Sequence, residues 1–501
     1  MTDTTASAEE HTGHVTGYGS KGYRTYVLVA LMLIYTLNFI DRTLITVVAQ
    51  PIMDSLSLSD GQFGFLSGPP FALFYAAMGI PIAMLADRSN RVLVIAVCIV
   101  VWSVMTALCG FAAGFLWLVI FRIGVAIGEA GGTPPANSII TDYYPVKSRA
   151  NALGIYSMGV TLGGVLAQVF GGSIAGIKGA DFGNWLGSLG LGGLFSGINW
   201  ESVEGWRIAF VVVGAPGVLI AAILWMTVKE PPRGYTEKPD GRKVEKASFG
   251  AAFAEIGKKK TFWWGAFGAA FVAFVGYGLQ SFQAPFLQRV YGIGVREAAL
   301  FYGAPLSLCA AAGTFGGGFL SEKLQSRFHS VVAWLPAVGL MIAVPCYIGA
   351  FFAPTMQLTF ILWMVAAFCH YSYLGAQYSI ATSIASPRAR ATAVAVLLLM
   401  VSIIGNGIGP LFVGMMSDFF MGNQIAAAGL TEFAADFDSR ACAGDPASLS
   451  SDAVQYCKAY GNGLRQSMAA TALWFLLAAF CFFMAGKTFK KDQWSNAEPV
   501  A

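Results

Sequence analysis

GQFGFLSGPPFALFYAAMGIPIAMLADR, residues 61–88, runs for 26 positions without a charge and then closes on an acid and a base, Asp87 and Arg88. About 20 apolar residues in a helix cross the hydrocarbon of a bilayer. The stretch therefore reads as one membrane-spanning helix with its charged end at the interface. The same form returns at AALFYGAPLSLCAAAGTFGGGFLSEK, residues 298–323, which closes on Glu322 and Lys323. Working outward from these two gives twelve spans: 24–50, 61–86, 92–112, 115–142, 149–177, 206–228, 261–289, 297–320, 330–353, 356–385, 390–419 and 464–486. The uncharged run 328–387 is too long for one helix and must turn near Pro354. Only 12% of the 501 residues are charged, against about 25% in soluble domains, and the mean hydropathy is +0.62. The fold class is an all-α membrane protein.

Basic residues set the expected orientation, because they concentrate in cytoplasmic loops. With both termini cytoplasmic, 22 of the 31 Lys and Arg residues lie inside and seven outside, with Arg42 and Arg122 in spans. The expected location is the plasma (inner) membrane, crossed many times. The first 22 residues are polar, carry Asp3, Glu9 and Glu10, and do not read as a cleavable leader. His11 and His14 in that tail do not form a metal site. Six cysteines fall in spans as small apolar residues. The other two, Cys442 and Cys457, share the long loop before the last span, on the expected oxidising side, and are expected to form a disulfide.

Residues 230–260 divide the spans six and six. The expected domains are an N-terminal tail 1–22, a six-helix bundle 23–229, a cytoplasmic linker 230–260, a second six-helix bundle 261–487 and a tail 488–501. The bundles echo each other. Ala83-Met-Leu-Ala-Asp87-Arg88 after span 2 matches Gly318-Phe-Leu-Ser-Glu322-Lys323 after span 8, 235 residues on; Arg149-Ala-Asn-Ala152 matches Arg390-Ala-Thr-Ala393, 241 residues on. Near-constant offsets indicate a duplicated six-helix unit, as in many transporters with substrate sites at the repeat interface.

These features resemble the major facilitator superfamily over roughly residues 20–490. The resemblance implies its two-bundle fold and gate clamps at Asp87, Arg88 and Arg91 and at Glu322 and Lys323. The family's usual glycine four residues before the acid is Ala83 here. Two further segments, Leu37-Asn38-Phe-Ile-Asp41-Arg42 in span 1 and Arg122-Ile-Gly-Val-Ala-Ile-Gly128-Glu129-Ala130 in span 4, resemble the spinster family of lysolipid and sphingolipid transporters. Organic-anion symporters share the Asp-Arg pair, so Gly-Glu-Ala is the more specific sign.

Asp41, Arg42, Arg122 and Glu129 interrupt spans, where a charge costs roughly 3 kcal/mol or more and needs a partner or a wet path. Asp41 and Arg42 lie about 26 Å along span 1 and Arg122 about 10 Å into span 4, which runs the other way, so they share a depth. Glu129 is two turns deeper, on the face of Arg122. We expect Asp41 to face Arg122, and Arg42 or Arg122 to reach Glu129 through water. Burial disfavours the ionised carboxylate and a neighbouring Arg favours it. That balance makes Glu129 the expected proton carrier, seconded by Asp41. An arginine released by protonation can hold an anionic headgroup. The alternative is a permanently ionised cluster that only fixes helix packing.

The second half adds no charge to the expected cavity. Its polar candidates are Gln280, Gln283, His370, Tyr371, Tyr373, Gln377 and Asn406. The substrate-binding set is thus Asn38, Arg42, Arg122, Gln280, Gln283, His370 and Tyr371. His370 also reads as a neutral packing residue. Ionic groups in one half and apolar and aromatic surface in the other suit an amphiphile. No Walker lysine, Cys/His cluster or nucleophile triad is present, so an ATP-driven pump or enzyme is not expected, nor a cofactor, metal or nucleic acid. The expected protein is a monomeric secondary transporter of an anionic or zwitterionic lipid, driven by protons through alternating access. The rival readings are a proton-coupled symporter of a small organic anion and a non-transporting sensor or scaffold.

Overall fold

The computed structural model describes residues 16–190, 192–236, 249–328, 330–443 and 446–494. His11, His14, most of the N-terminal tail, half of the C-terminal tail and the middle of the linker lie outside the described residues. Among the described residues, twelve helices are long and apolar enough to cross a membrane. They are α1 (Lys21–Val47), α2 (Asp60–Arg88), α3 (Arg91–Cys109), α4 (Phe115–Tyr143), α5 (Val146–Ala175) and α6 (Gly205–Thr227), then α7 (Lys260–Tyr291), α8 (Val295–Gln325), α9 (Val331–Phe351), α10 (Met356–Ile384), α11 (Arg390–Ala427) and α12 (Ser451–Asp492). The all-α, twelve-span fold read from the sequence is the observed one.

Local signals place the helix ends. Ser20 accepts from the Tyr23 amide at the start of α1, Ser59 and Gln62 form a capping box at the start of α2, and Asn90 caps α3 through the Leu93 amide. Breaks follow proline chemistry. α2 is interrupted at Gly68, before Pro69 and Pro70, and α4 at Gly131–Gly132, just before Pro134 and Pro135. The largest departure is α12, which starts at Ser451 rather than 464. Its first turns are polar and so escape a hydropathy reading. They are held by a small core of Ile425, Leu430, Tyr456, Ala459 and Tyr460, beside which a disulfide joins Cys442 to Cys457.

The helices form two compact units. The first comprises described residues 16–48 and 73–236; the second comprises 49–72 and the described residues from 249 onward. The boundary thus differs from the expected 23–229 and 261–487, since residues 49–72, between the body of α1 and the body of α2, pack with the second unit. The cause is backbone contact. A Cβ on Gly64 would collide with the Pro410 carbonyl, and one on Gly414 with that of Asp60. Such close crossings are a common way for helices to associate inside a membrane. In the first unit α5 crosses α1 in the same manner: Gly163 sits against Thr36 and Phe39, whereas Gly164 faces open space. The linker is anchored at both ends. Residues 230–236 fold against the first unit, and the helix Phe249–Gly257 is tied to the second by Glu255, which accepts from the Ser386 amide and hydroxyl at 2.8 Å each.

Candidate functional site

One face of α1 carries Asn38, Asp41 and Arg42, three and four residues apart, and one face of α4 carries Arg122 and Glu129, two turns apart. All but Arg42 are buried. Arg42 donates from Nη2 and Nε to Glu129 Oε2 at 2.8 and 3.0 Å. This is a direct ion pair without the water expected between them. Its members differ in access: the Arg42 side chain is 19% exposed and that of Glu129 is 0%. Phe39 and Tyr75 lie 5.0 and 4.8 Å from the guanidinium and confine it between two rings. Glu129 Oε1 has no hydrogen-bond partner, and Asn38 stands beside the carboxylate. Asp41 accepts at Oδ2 from the Thr106 hydroxyl at 3.2 Å. Arg122 is close enough to act electrostatically on both carboxylates.

The arrangement binds an arginine through one oxygen of a fully buried carboxylate. A proton on Glu129 would cancel the ion pair and leave a partly exposed guanidinium for an anion. Tyr75, Phe39 and Thr106 were missed by sequence reasoning. They carry no charge, so only the fold brings them to the cluster.

The second-half candidates lie in the second unit. His370 and Tyr373 are buried, while Tyr371, Gln280 and Gln283 are half-buried. His370 packs among Tyr347, Tyr371, Tyr373 and Phe475, with Nδ1 3.3 Å from the Tyr347 hydroxyl.

The gate residues divide. Asp87, Arg88, Glu322 and Lys323 are exposed at the ends of α2 and α8, and Asp87 lies 4.0 Å from Arg233. Arg91 is buried instead. It is paired with Asp142 and Glu230, donates to Ser138 at 2.8 Å and reaches the Pro231 carbonyl at 2.8 Å. It ties α3, α4 and the linker's first residues together. Arg233 caps the end of α2 through the Ala86 and Ser89 carbonyls. The Arg289 side chain on α7 is also enclosed, only 3% exposed. It grips Asp60 with two bonds of 2.7 and 2.6 Å, donates to Gln50 at 2.7 Å and lies over the Tyr460 ring at 3.7 Å. Asp60 also accepts from Ser417, and Asp418 accepts from the amides of Asp60 and Gly61. The signal for this cluster was available: Asp60 and Arg289 stand at the ends of long uncharged runs.

Twelve spans in two halves of six, with ionisable groups sealed within the helices, define a polytopic membrane transporter. The Major Facilitator Superfamily profile matches residues 31–410, and the chain belongs to that superfamily. Within it the chain is a transporter of the spinster type. It is 64% identical to a bacterial homologue of the human lysosomal transporter spinster, whose inward-facing, unoccupied crystal structure superposes with a TM-score of 0.92, covering 96% of this chain and 100% of that one. It is also 29% identical over 418 residues to an MFS-type efflux pump of Mycolicibacterium smegmatis, covering 81% of this chain and 87% of the pump. Protein spinster homolog 1 of Xenopus laevis is 24% identical over 79% of this chain and 74% of its own length.

Proposed function

We propose that the protein is a secondary active transporter of an amphipathic anionic or zwitterionic lipid, of lysolipid or sphingoid-phosphate kind, that works by alternating access and is coupled to protons through Glu129 with Asp41. The observation that carries this reading is the Arg42–Glu129 pair, a fully buried carboxylate holding a partly exposed arginine. A protonated Glu129 frees Arg42 to make charge-assisted hydrogen bonds to a phosphate or carboxylate headgroup. The ionised form takes Arg42 back and favours release. Arg122 keeps the site's field positive while Arg42 changes partners. Gln280, Gln283, His370 and Tyr371 are proposed substrate contacts from the second unit, and Asp87, Arg88, Arg91, Glu322 and Lys323 gate residues. The charge asymmetry of the loops supports cytoplasmic termini in a plasma membrane.

The test is flux in proteoliposomes with and without a pH gradient. Wild type and Glu129→Gln are given a fluorescent lysolipid, a sphingoid phosphate and a small organic anion. Lipid movement that follows the gradient in wild type and ignores it in Glu129→Gln is the expected result. Movement of the organic anion alone would overturn the lipid assignment. Gradient-independent lipid movement in wild type would overturn the coupling.

A further inference from the structure

The polar start of α12 links two parts of the second unit. Tyr456, Cys457 and Tyr460 fall within about one turn of it and share a face. Tyr456 meets the edge of the Phe437 ring at 4.9 Å, and Phe437 stacks on Phe433 at 4.9 Å. The loop that carries these rings goes on to Cys442, whose disulfide to Cys457 closes it back onto the helix. From the same turn the Tyr460 ring lies 3.7 Å from the Arg289 guanidinium, and its hydroxyl accepts from Gln50 at 3.2 Å. Gln50 accepts in turn from Arg289 at 2.7 Å, and Arg289 grips Asp60 at 2.7 and 2.6 Å. Asp418 holds the Asp60 and Gly61 amides at 3.1 and 2.8 Å. An unbroken run of contacts therefore joins the disulfide to the first turn of α2, and all of it lies in the second unit.

The loop has little else to hold it. Of the five buried residues in its core, only Leu430 belongs to the loop itself; Ile425 ends α11, and Tyr456, Ala459 and Tyr460 begin α12. Phe433 and Phe437 are only partly buried. So few apolar contacts make a local fold that opens well before the whole protein does. A covalent bond across a short loop offsets this by restricting the open state, and the two cysteines here stand 15 residues apart. Both are only partly buried, so a small thiol can reach the bond. The other six cysteines are free, which leaves this bond as the one target for a reductant. At the far end of the run, residues 49–72 are held in the second unit but continue at both ends into α1 and α2 of the first.

We propose that the Cys442–Cys457 disulfide is a thiol-sensitive brake on the segment 49–72. Intact, it keeps Tyr460 seated on Arg289 and Gln50. Opened, it lets the start of α12 fray. Arg289 then loses the ring against its face, Gln50 loses its tyrosine partner, and Asp60 is held less firmly. The agent is a dithiol on the expected outer side. Its first thiolate attacks one sulfur of the bond and forms a mixed disulfide, and its second attacks that intermediate. The dithiol leaves as a cyclic disulfide, and its two protons end on Cys442 and Cys457. The brake depends neither on what is carried nor on Glu129.

The test reads the far end of the run. Wild type, the Cys442→Ser/Cys457→Ser double variant and Tyr460→Leu are purified in detergent. Hydrogen–deuterium exchange is followed by mass spectrometry on peptides within 49–67, with and without dithiothreitol. In wild type the reductant is expected to speed uptake there roughly fivefold, as local opening becomes easier. The double variant is expected to show the faster uptake from the start and no response to dithiothreitol. Tyr460→Leu is expected to be fast already, with dithiothreitol adding less than about twofold, because two changes in one run of contacts do not add. Wild-type uptake that quickens only in the loop's own peptides, with 49–67 unchanged, would overturn the brake and leave the disulfide a local staple. So would a full fivefold response in Tyr460→Leu, since the signal would then bypass that ring. A response of the double variant to dithiothreitol would overturn it too, because the reductant would be acting elsewhere.

Discussion

Two arginine–carboxylate pairs, Arg289 with Asp60 and Arg42 with Glu129, differ in their surroundings as a latch differs from the proposed switch. Arg289 is saturated: two bonds to Asp60, one to Gln50 and an aromatic ring against its face, while Asp60 takes a further bond from Ser417. Arg42 uses one oxygen of Glu129 and leaves the other without a partner. A saturated ion pair has no cheap alternative, since losing one member strands a charge in a dry place. An undersatisfied pair has one, because the carboxylate can take a proton and the arginine is already partly exposed. Both clusters therefore satisfy the rule that membrane charges need partners, and the proposed switch requires only the first unit's cluster to change them.

The largest expected effect falls on the latch. Arg289→Ala leaves Asp60 buried beside Asp418 without its counter-ion, a change of about 3–5 kcal/mol in comparable buried pairs. The purified variant is expected to lose thermal stability in detergent, read by fluorescence-detected size exclusion. Arg42→Ala is expected to lose clearly less, because Glu129 can neutralise itself. Equal shifts in the two variants would break the distinction. Next comes Glu129→Gln, which keeps the shape and one acceptor. It is expected to fold normally and to carry lipid without regard to the pH gradient. A large stability loss with retained pH response would mean that this cluster, too, is a latch.

Much of this was legible in the chain because hydrocarbon tolerates so few charges. Span number, the duplication and the four interrupting charges all follow from where Asp, Glu, Lys and Arg stand. What escaped has a physical reason in each case. The segment 49–72 belongs with the second unit because Gly64 and Gly414 permit backbone contact, and glycine gives no sign of which helix it will meet. The polar start of α12 was hidden by its composition. Arg91 read as a gate charge because its partners, Asp142 and Glu230, lie 51 and 139 positions away. Arg289 and Asp60 stood in plain view at the ends of uncharged runs, but end charges are ordinary, and only the fold shows that they are sealed.

Asp41 sharpens the comparison from the other side. Its hydrogen bond comes from a hydroxyl, Thr106, and the amide oxygen of an asparagine can accept the same bond. Asp41→Asn is therefore expected to fold normally and to weaken the pH response of lipid flux less than Glu129→Gln does. An Asp41→Asn protein as blind to the gradient as Glu129→Gln would move the proton switch from one carboxylate to the pair.

The smallest expected effect lies at the rim of the latch. Tyr460 contributes two separable things to Arg289: the face of its ring, and a hydroxyl that accepts from Gln50 at 3.2 Å. Tyr460→Phe keeps the ring and loses only the hydroxyl, so it is expected to cost about 1 kcal/mol or less, the usual net value of one neutral hydrogen bond. Tyr460→Leu also removes the ring and exposes Arg289 to the loss of a cation–π contact worth roughly 0.5–2 kcal/mol. The order wild type, Phe, Leu in thermal stability, with lipid exchange unchanged in the Phe variant, would place the ring inside the latch. If Phe and Leu behaved alike, the ring would be packing only, and the grip on Arg289 would rest on Asp60 and Gln50 alone.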